Sequence, residues 1–300
     1  MAEKKPLTIS VGEVLWDVLP DGKVLGGSPT NVAWHAAQLG ADAHVVSAVG
    51  KDPLGDEILD ILGGMKLNID FVAVLAGRPT STVEVCLDQD GNASYVFRED
   101  VAWDRLPVTP EIIALAGKAD AVNFGSLSQR HPESHANTLA ILDAIKPEAI
   151  RIFDINLRFP FVYKEVLDAG LRRASVVKMN EEELPAVAKM FGWTERAEDA
   201  IVQLLAAYPN LRHAVVTRAA DGAWWHDRKR LIAMQPPRPI QVADTIGGGD
   251  SVTAAVMMGL LKGWDEEKTL AAALEIASFV CSCRGGTPEL PDSLKAPFLS

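Results

Sequence analysis

The sequence predicts an α/β protein in which a mainly parallel sheet is sandwiched by helices and a small β-sheet forms a lid. Short β-branched runs alternate with longer helical patterns along most of the 300 residues. One stretch, residues 71–98, contains strand patterns only. Strand–helix alternation requires crossover connections, which place helices on both faces of a parallel sheet. No composition shift or repeat marks a second domain, so residues 1–300 are expected to form a single one.

Six apolar runs rich in β-branched residues are the candidate strands of the main sheet: residues 7–11, 43–49, 119–124, 150–155, 175–179 and 213–217. Proline is favoured in the first turn of a helix. It marks four predicted helix starts, of which the first three carry a capping side chain before it: Ser28-Pro29, Asp52-Pro53, Thr109-Pro110 and His131-Pro132. Apolar residues between Leu270 and Cys281 fall on one face of a further helix.

The strand-only stretch predicts three strands at residues 71–75, 82–87 and 93–97, with Asp90-Gly91 as a hairpin turn. A small sheet inserted into an α/β domain commonly covers a site. We therefore expect lid segments at roughly residues 12–30 and 70–104. Edge strands carry unpaired backbone groups, which makes the lid a candidate homodimer surface.

Composition argues against several classes of function. The formal net charge of -11 repels polyanions and no basic run offsets it, so nucleic acid is not an expected partner. Three cysteines without a second close pair do not indicate a disulfide framework or a zinc site. The first apolar run, residues 7–11, is too short for a signal peptide or a membrane span, so a cytoplasmic protein without a membrane partner is expected.

Segment 244–251 carries the strongest chemical signal, the letters DTIGGGDS directly before an apolar helix pattern. Backbone N–H groups of a glycine loop at a helix N-terminus can converge on one anion, and the helix dipole adds positive charge there. The predicted anion-binding residues are Gly247, Gly248 and Gly249. Asp250 is suited to take a proton from an attacking hydroxyl. The alternative is a flexible turn with Asp250 or Ser251 as a helix cap, and the loop is not a Walker A motif.

A second group, Asp154, Asn156 and Arg158, closes the predicted strand 150–155. Residues at i, i+2 and i+4 of a strand share a face, so these three side chains are expected to line up. Ligands of open parallel sheets bind beyond the carboxyl ends of strands, and the arginine fork suits phosphate. A surface salt bridge between Asp154 and Arg158 is the alternative.

Asn180 and Glu183 follow the next strand. They predict either a helix cap or an amide and a carboxylate that hold Mg²⁺ through water beside nucleotide phosphates.

A further group lies near the N-terminus. Sugar hydroxyls both donate and accept hydrogen bonds, so carboxylates, carboxamides and bare backbone are suitable partners. Such a set is formed by Asp17, Gly26, Gly27 and Asn31. A solvated loop acid and a simple glycine turn are the alternatives.

Together these motifs resemble the ribokinase-like (PfkB) carbohydrate kinases, and they look closest to bacterial fructokinases. The resemblance covers nearly the whole chain in the expected order. It is carried by Gly12-Glu13 with Asp17, Gly26-Gly-Ser-Pro-Thr-Asn31, Gly50-Lys-Asp-Pro-Leu-Gly55, Asp154-x-Asn156-x-Arg158, Asn180-x-x-Glu183, Thr217-x-Ala219-x-x-Gly222 and Asp244-Thr-x-Gly-Gly-Gly-Asp250.

The resemblance implies a role for each group. Asp250 is implied to be the base beside an anion hole of three glycines, with K⁺ as an expected neighbour of that hole. Contacts with ATP are implied for Asn180, Glu183, Thr217, Ala219, Gly222 and Gly249, with Mg²⁺ held through water by Asn180 and Glu183. Contacts with the sugar are implied for Asp17, Gly26, Gly27, Asn31 and, from the lid, Arg98. Arg158 is implied to bind substrate near the transferred phosphate.

Two residues depart from the family pattern. Gly248 stands where the family usually has alanine, which predicts a more flexible anion hole. Ala219 stands where the family tends to glycine, and alanine disfavours a positive φ, so contact of this turn with phosphate is expected to differ.

The expected activity is ATP-dependent phosphorylation of a sugar primary hydroxyl, with D-fructose at its 6-hydroxyl as the favoured acceptor. 2-Keto-3-deoxygluconate is the alternative within the class, since Arg98 and Arg105 offer partners for a carboxylate. A non-catalytic sugar or nucleotide sensor on the same fold is the alternative from another class. A dinucleotide-binding oxidoreductase lacks the required Gly-x-Gly-x-x-Gly after the first strand.

Overall fold

The computed structural model describes residues 4–19, 22–87, 93–237 and 239–300. Within these residues the strands are β1 (Leu7–Val11), β2 (Leu15–Leu19), β3 (Gly22–Gly26), β4 (Asp42–Gly50), β5 (Val72–Leu75), β6 (Thr82–Leu87), β7 (Ala93–Phe97), β8 (Ala121–Gly125), β9 (Ile150–Asp154), β10 (Val176–Asn180), β11 (His213–Thr217), β12 (Ala223–His226) and β13 (Leu231–Met234). The helices are α1 (Ser28–Gln38), α2 (Pro53–Gly64), α3 (Pro110–Ala116), α4 (Pro132–Ala144), α5 (Lys164–Leu171), α6 (Glu183–Phe191), α7 (Ala197–Ala207), α8 (Gly248–Leu261), α9 (Glu266–Cys281) and α10 (Asp292–Leu299).

The main sheet confirms the predicted α/β fold. Its order in the described residues is β13-β12-β11-β10-β9-β8-β1-β4-β5. The strands from β11 to β5 run parallel, whereas β12 and β13 continue the sheet antiparallel at one edge. All six strands predicted for this sheet lie in it. The hairpin of β12 and β13 was missed.

The prediction for residues 71–75 was wrong in one respect. They form a strand, but β5 pairs in parallel with β4, with Ser47 opposite Val72, and extends the main sheet rather than the small one. A strand pattern reports that a segment is extended and half-buried, and it carries no information about which strand it pairs with.

The small sheet has the order β3-β2-β6-β7. Two of its pairs are antiparallel and the pair of β2 with β6 is parallel. Its strands therefore come from both predicted lid segments, although β2 and β3 were not individually predicted. The predicted Asp90-Gly91 turn lies outside the described residues.

Helices cover both faces of the main sheet. Neighbouring residues of one strand enter different apolar cores. Ile152 belongs to the core that contains residues of α1, α2, α8, α9 and α10, and Phe153 belongs to the core that contains residues of α3 to α7. Helix α8 is buried at every position from 251 to 259, so it runs through the first core. An apolar helix that is buried all round has a fixed axis, and its N-terminal turn is fixed with it.

Two of the three predicted capping side chains, Asp52 and Thr109, are confirmed, and His131 caps its helix although it was not predicted to. Asp52, Thr109 and His131 each accept a backbone N–H with the side chain. Ser28 is the exception, because α1 starts at this residue and its hydroxyl donates elsewhere. No helix in the described residues is both long and apolar enough to cross a membrane.

Candidate active site

The N-terminal turns of α1 and α8 meet at Asp250. Ser28 Oγ donates a hydrogen bond of 2.6 Å to one carboxylate oxygen of Asp250. Asn31 Nδ2 donates one of 2.8 Å to the other. Asp250 itself lies in the first turn of α8 and is half-buried. Both oxygens are thus oriented by side chains of α1, which fixes the carboxylate near the acidic side chains of Glu13 and Asp17.

At each of the three loop glycines, a neighbouring residue occupies the space that a side chain would need. Gly247 has a left-handed φ of 74°, and a Cβ there would come within 2.5 Å of Gly286. A Cβ on Gly248 would come within 2.7 Å of Cys281 Sγ. A Cβ on Gly249 would come within 2.7 Å of Lys178 Nζ. The departure at Gly248 therefore has a packing cause, since Cys281 occupies the space that an alanine methyl group needs.

The loop also limits which N–H groups are available to an anion. The N–H of Gly248 donates to the Thr245 carbonyl at 3.3 Å, within the loop itself. The first N–H groups of a helix have no acceptor within the helix. The N–H of Ser251 donates to the Gly247 carbonyl at 2.8 Å. The N–H groups of Gly249 and Asp250 are therefore the part of α8 best suited to bind an anion.

Two carboxylates face Asp250 from the N-terminal segment. Glu13 is only 3% exposed. Burial raises its pKa to about 7; the charge of Arg158 lowers that pKa and the charge of Asp250 raises it. Burial likewise raises the pKa of Asp17 to about 6, with the same opposing contributions from Arg158 and Asp250. Within the described residues, neither Glu13 Oε2 nor Asn31 Oδ1 has a hydrogen-bond partner.

The predicted glycines on this side allow close packing around Asp17 and Glu13. A Cβ on Gly26 would collide with the Asp17 carboxylate, and one on Gly27, where φ is 110°, would collide with the Glu13 carbonyl. The structure thus brings together the predicted Asp17, Gly26, Gly27 and Asn31. Sequence reasoning did not select Glu13 or Ser28 as site residues. Their position next to Gly12 and Gly27 was the available signal.

The prediction that Asp154, Asn156 and Arg158 share one face of a strand is wrong. Strand β9 ends at Asp154, and Asn156 has a positive φ of 43°, so the alternation of a strand does not continue. Asp154 instead points into the core, where it is paired with Lys178 and accepts a hydrogen bond from Thr253. Arg158 lies in the following segment, and its charge acts on Glu13 and Asp17.

Asn180 and Glu183 form a reciprocal cap at α6. Asn180 Oδ1 accepts the Glu183 N–H at 2.8 Å, and Glu183 Oε2 accepts the Asn180 N–H at 2.8 Å. Glu183 Oε1 accepts the Leu157 N–H at 2.6 Å. Burial raises the pKa of Glu183, although Lys178 lowers it. Because both of its carboxylate oxygens already accept backbone N–H groups, Glu183 is poorly suited to bind a metal ion directly. Among the described residues no cluster of three or more His, Cys, Asp or Glu could hold a metal ion.

In the turn after β11, Ala219 adopts the positive φ that alanine was expected to disfavour. Thr217 ends β11, and Ala219 has a positive φ of 42°. At Gly222 a Cβ would collide with the Met234 carbonyl. Arg218 stacks on Trp224 at 4.3 Å. The turn therefore keeps its shape without a glycine at 219, at the cost of strain in a left-handed residue.

The surroundings differ among the three arginines that were considered for contact with a substrate. Arg158 lies near Glu13 and Asp17, as its effect on both carboxylates shows. Arg98 is exposed, and its carbonyl accepts a hydrogen bond from Arg130. Arg105 is engaged by Asp100 and Glu133, at 3.1 Å each. The contact of Arg98 with the sugar therefore stays a prediction.

Known proteins match the chain along nearly its whole length. The fructokinase of Klebsiella pneumoniae is 29% identical over 279 residues, which cover 89% of this chain and 88% of that protein. The fructokinase of Salmonella typhimurium is 26% identical over 303 residues, covering 94% and 95%. The crystal structure of a fructokinase from Xylella fastidiosa with bound ATP superposes with a TM-score of 0.85 at 24% identity, covering 99% of this chain and 98% of that one.

Other solved structures share the fold at lower identity. Aminoimidazole riboside kinase from Salmonella enterica superposes with a TM-score of 0.80 at 19% identity, covering 98% of this chain and all of that one. The profile of the pfkB family carbohydrate kinases matches residues 15–293, from β2 to α10. The chain therefore belongs to the pfkB family of carbohydrate kinases, phosphotransferases that act on a sugar hydroxyl.

Proposed function

We propose that this kinase transfers the γ-phosphoryl group of ATP to the primary hydroxyl of a neutral sugar, with D-fructose at its 6-hydroxyl as the acceptor. The observation that carries the proposal is the Asp250 carboxylate. It is held by Ser28 and Asn31 at the N-terminus of a buried helix, near the carboxylates of Glu13 and Asp17.

Asp250 serves as the general base in this scheme. The sugar hydroxyl oxygen attacks the γ-phosphorus while its proton passes to Asp250, and the bond from phosphorus to the β,γ-bridging oxygen breaks to release ADP. Negative charge on the transferring group lies at the first turn of α8, where N–H groups and the helix dipole stabilise it. The small sheet, which carries Asp17, covers the sugar and excludes water.

The electrostatics of the pocket favour a neutral acceptor. Glu13 and Asp17 both have raised pKa values because burial and Asp250 outweigh the charge of Arg158. An anionic substrate would add another negative charge to a region in which the ionised forms of Glu13 and Asp17 are already disfavoured. Arg105, a candidate partner for the carboxylate of 2-keto-3-deoxygluconate, is engaged by Asp100 and Glu133. The named fructokinases among the relatives support the same choice.

ATP is the proposed donor, consistent with a fructokinase solved with bound ATP. Thr217, Ala219 and Gly222 form the turn proposed to contact it. Mg²⁺ would enter with the nucleotide and neutralise phosphate charge. Since Glu183 oxygens are occupied by backbone donors, its contact with that ion, and that of Asn180, would pass through water.

The test is ATP consumption by the purified protein with Mg²⁺ across fructose, ribose, glucose, 2-keto-3-deoxygluconate and adenosine. We expect a rate that depends on fructose and falls by roughly 10² to 10⁴ in Asp250→Asn, the usual loss for one general base. Asp227→Asn is the matched control, since Asp227 lies in the loop between β12 and β13 and binds its own loop N–H groups.

Three outcomes would change the proposal. Preferred turnover of the 2-keto acid would overturn the reading of the pocket and keep the role of Asp250. Full turnover in Asp250→Asn would remove the base. ATP binding without turnover of any acceptor would favour a non-catalytic sensor.

A further inference from the structure

Lys178 is a buried cation directly behind the first turn of α8. It lies on β10, is 7% exposed, and its ammonium donates to both oxygens of Asp154 at 3.1 Å. Asp154 is 1% exposed and also accepts the Thr253 hydroxyl of α8 at 2.8 Å. The ion pair is thereby tied to the helix that carries Asp250.

The same ammonium limits what can stand at position 249. A Cβ on Gly249 would come within 2.7 Å of Lys178 Nζ, so the backbone of the proposed anion site lies against this cation without a side chain between them. Although burial lowers the pKa of Lys178, the nearby charges of Asp154, Glu183 and Asp250 raise it overall. The ammonium therefore stays protonated in the neutral range.

Stability alone does not account for such a pair. Replacing a buried ion pair by apolar groups of similar volume is often neutral or stabilising, because desolvation offsets the attraction. Three carboxylates act on Lys178 and only one of them, Asp154, is its hydrogen-bonded partner. A fixed positive charge behind an anion-binding turn has a use in catalysis, since preorganised charge costs no reorganisation during the reaction.

We propose that Lys178 is a positioning residue for phosphoryl transfer: held by Asp154, it fixes the Gly249 turn and places positive charge behind the site where negative charge develops. The inference rests on the proposed function, because it takes that turn as the phosphoryl site. Lys178 acts through Gly249 and Asp154, and no contact with the substrate is required of it.

The test compares binding of ADP with binding of a phosphoryl-transfer analogue, ADP with aluminium fluoride and fructose, by titration calorimetry. Lys178→Met alone leaves Asp154 unpaired and buried, so the main variant is the double change Lys178→Met with Asp154→Asn, which keeps an acceptor for Thr253. The matched control removes another ion pair, Lys146 with Asp120, by Lys146→Met and Asp120→Asn. That pair lies outside the proposed site.

In the main variant we expect unchanged ADP affinity, analogue affinity lowered by about 10²-fold, and kcat lowered by a similar factor with KM values within about threefold. The control pair should leave all four quantities unchanged. Equal losses of ADP and analogue affinity, or no loss of either, would overturn the role of Lys178, since a purely structural pair does not distinguish the two ligands.

The outcome is separable from that of the proposed function. If the wild-type protein phosphorylates none of the sugars, the proposed function fails, whereas the comparison of ADP with ADP and aluminium fluoride still tests the charge behind Gly249. Should the double variant lose its cooperative melting transition, Lys178→Gln, which keeps a donor to Asp154, is measured in its place against the same two ligands. An unchanged analogue affinity in that variant would refute the proposal.

Discussion

Replacing Glu13 by Gln should change how the stability of the protein depends on pH. Burial raises the pKa of Glu13 from 4.5 to about 7. The folded protein then binds a proton more tightly than the unfolded chain, so stability is highest below the unfolded pKa and falls as pH rises through this interval. At about 1.4 kcal/mol for each pKa unit, a difference of about 2.5 corresponds to about 3.5 kcal/mol over the whole pH range.

Gln at position 13 removes the ionisation and keeps the shape. The wild-type free energy of unfolding should fall by about 3 kcal/mol between about pH 4.5 and pH 8 on account of this residue, in addition to a smaller loss from Asp17. In Glu13→Gln that part of the decline should disappear, so the variant gains on the wild type as pH rises. Urea unfolding followed by tryptophan fluorescence across this range measures the difference.

Glu195→Gln is the matched control, since Glu195 is exposed. Its difference from the wild type should stay small at every pH. A difference between Glu13→Gln and the wild type that does not change with pH would refute the reasoning, because it would mean that Glu13 has the same proton affinity in the folded and unfolded states.

Two further outcomes follow from the loop residues, and a third follows from the K⁺ that the family resemblance implies. Gly248→Ala should cost about 1–3 kcal/mol by overpacking against Cys281, and the added change Cys281→Ala should recover most of it, measured as a double-mutant cycle of urea unfolding. Ala219→Gly should stabilise by up to about 1 kcal/mol by relieving a left-handed alanine, whereas Gly222→Ala should destabilise; equal effects of the two would contradict this. Turnover should fall when K⁺ is replaced by tetramethylammonium at constant ionic strength, and indifference to the exchange would exclude a K⁺ site.

The sequence predicted the main sheet because its strands are continuous apolar runs, which parallel strands buried on both faces require. It did not predict the partner of Val72–Leu75, since pairing depends on tertiary packing rather than on the pattern within one strand. The antiparallel edge strands, Ala223–His226 and Leu231–Met234, are only four residues each, and so short a pattern is weak.

Sequence patterns indicated those parts of the candidate site whose residues are adjacent in the chain, such as Asp250 and the glycines before it. Other parts were missed where a residue has a different local explanation. Ser28 before a proline is typical of a helix cap, yet its hydroxyl donates to Asp250. Lys178 on a strand is typical of a solvated face, yet it is buried in an ion pair. Asn156 was assigned to a strand face because a positive φ at asparagine leaves no mark in a strand pattern.

The contact between Ser28 and Asp250 joins residues that are 222 positions apart. A chain that grows from its N-terminus completes α1 long before the glycine loop exists, so Asp250 and the side chains that orient it meet only at the end of synthesis. Contacts of such long range form late, because loop closure must be accomplished first. Recovery of catalytic activity during refolding should therefore lag behind the recovery of helical circular dichroism. The rate at which activity returns then measures the last step of folding.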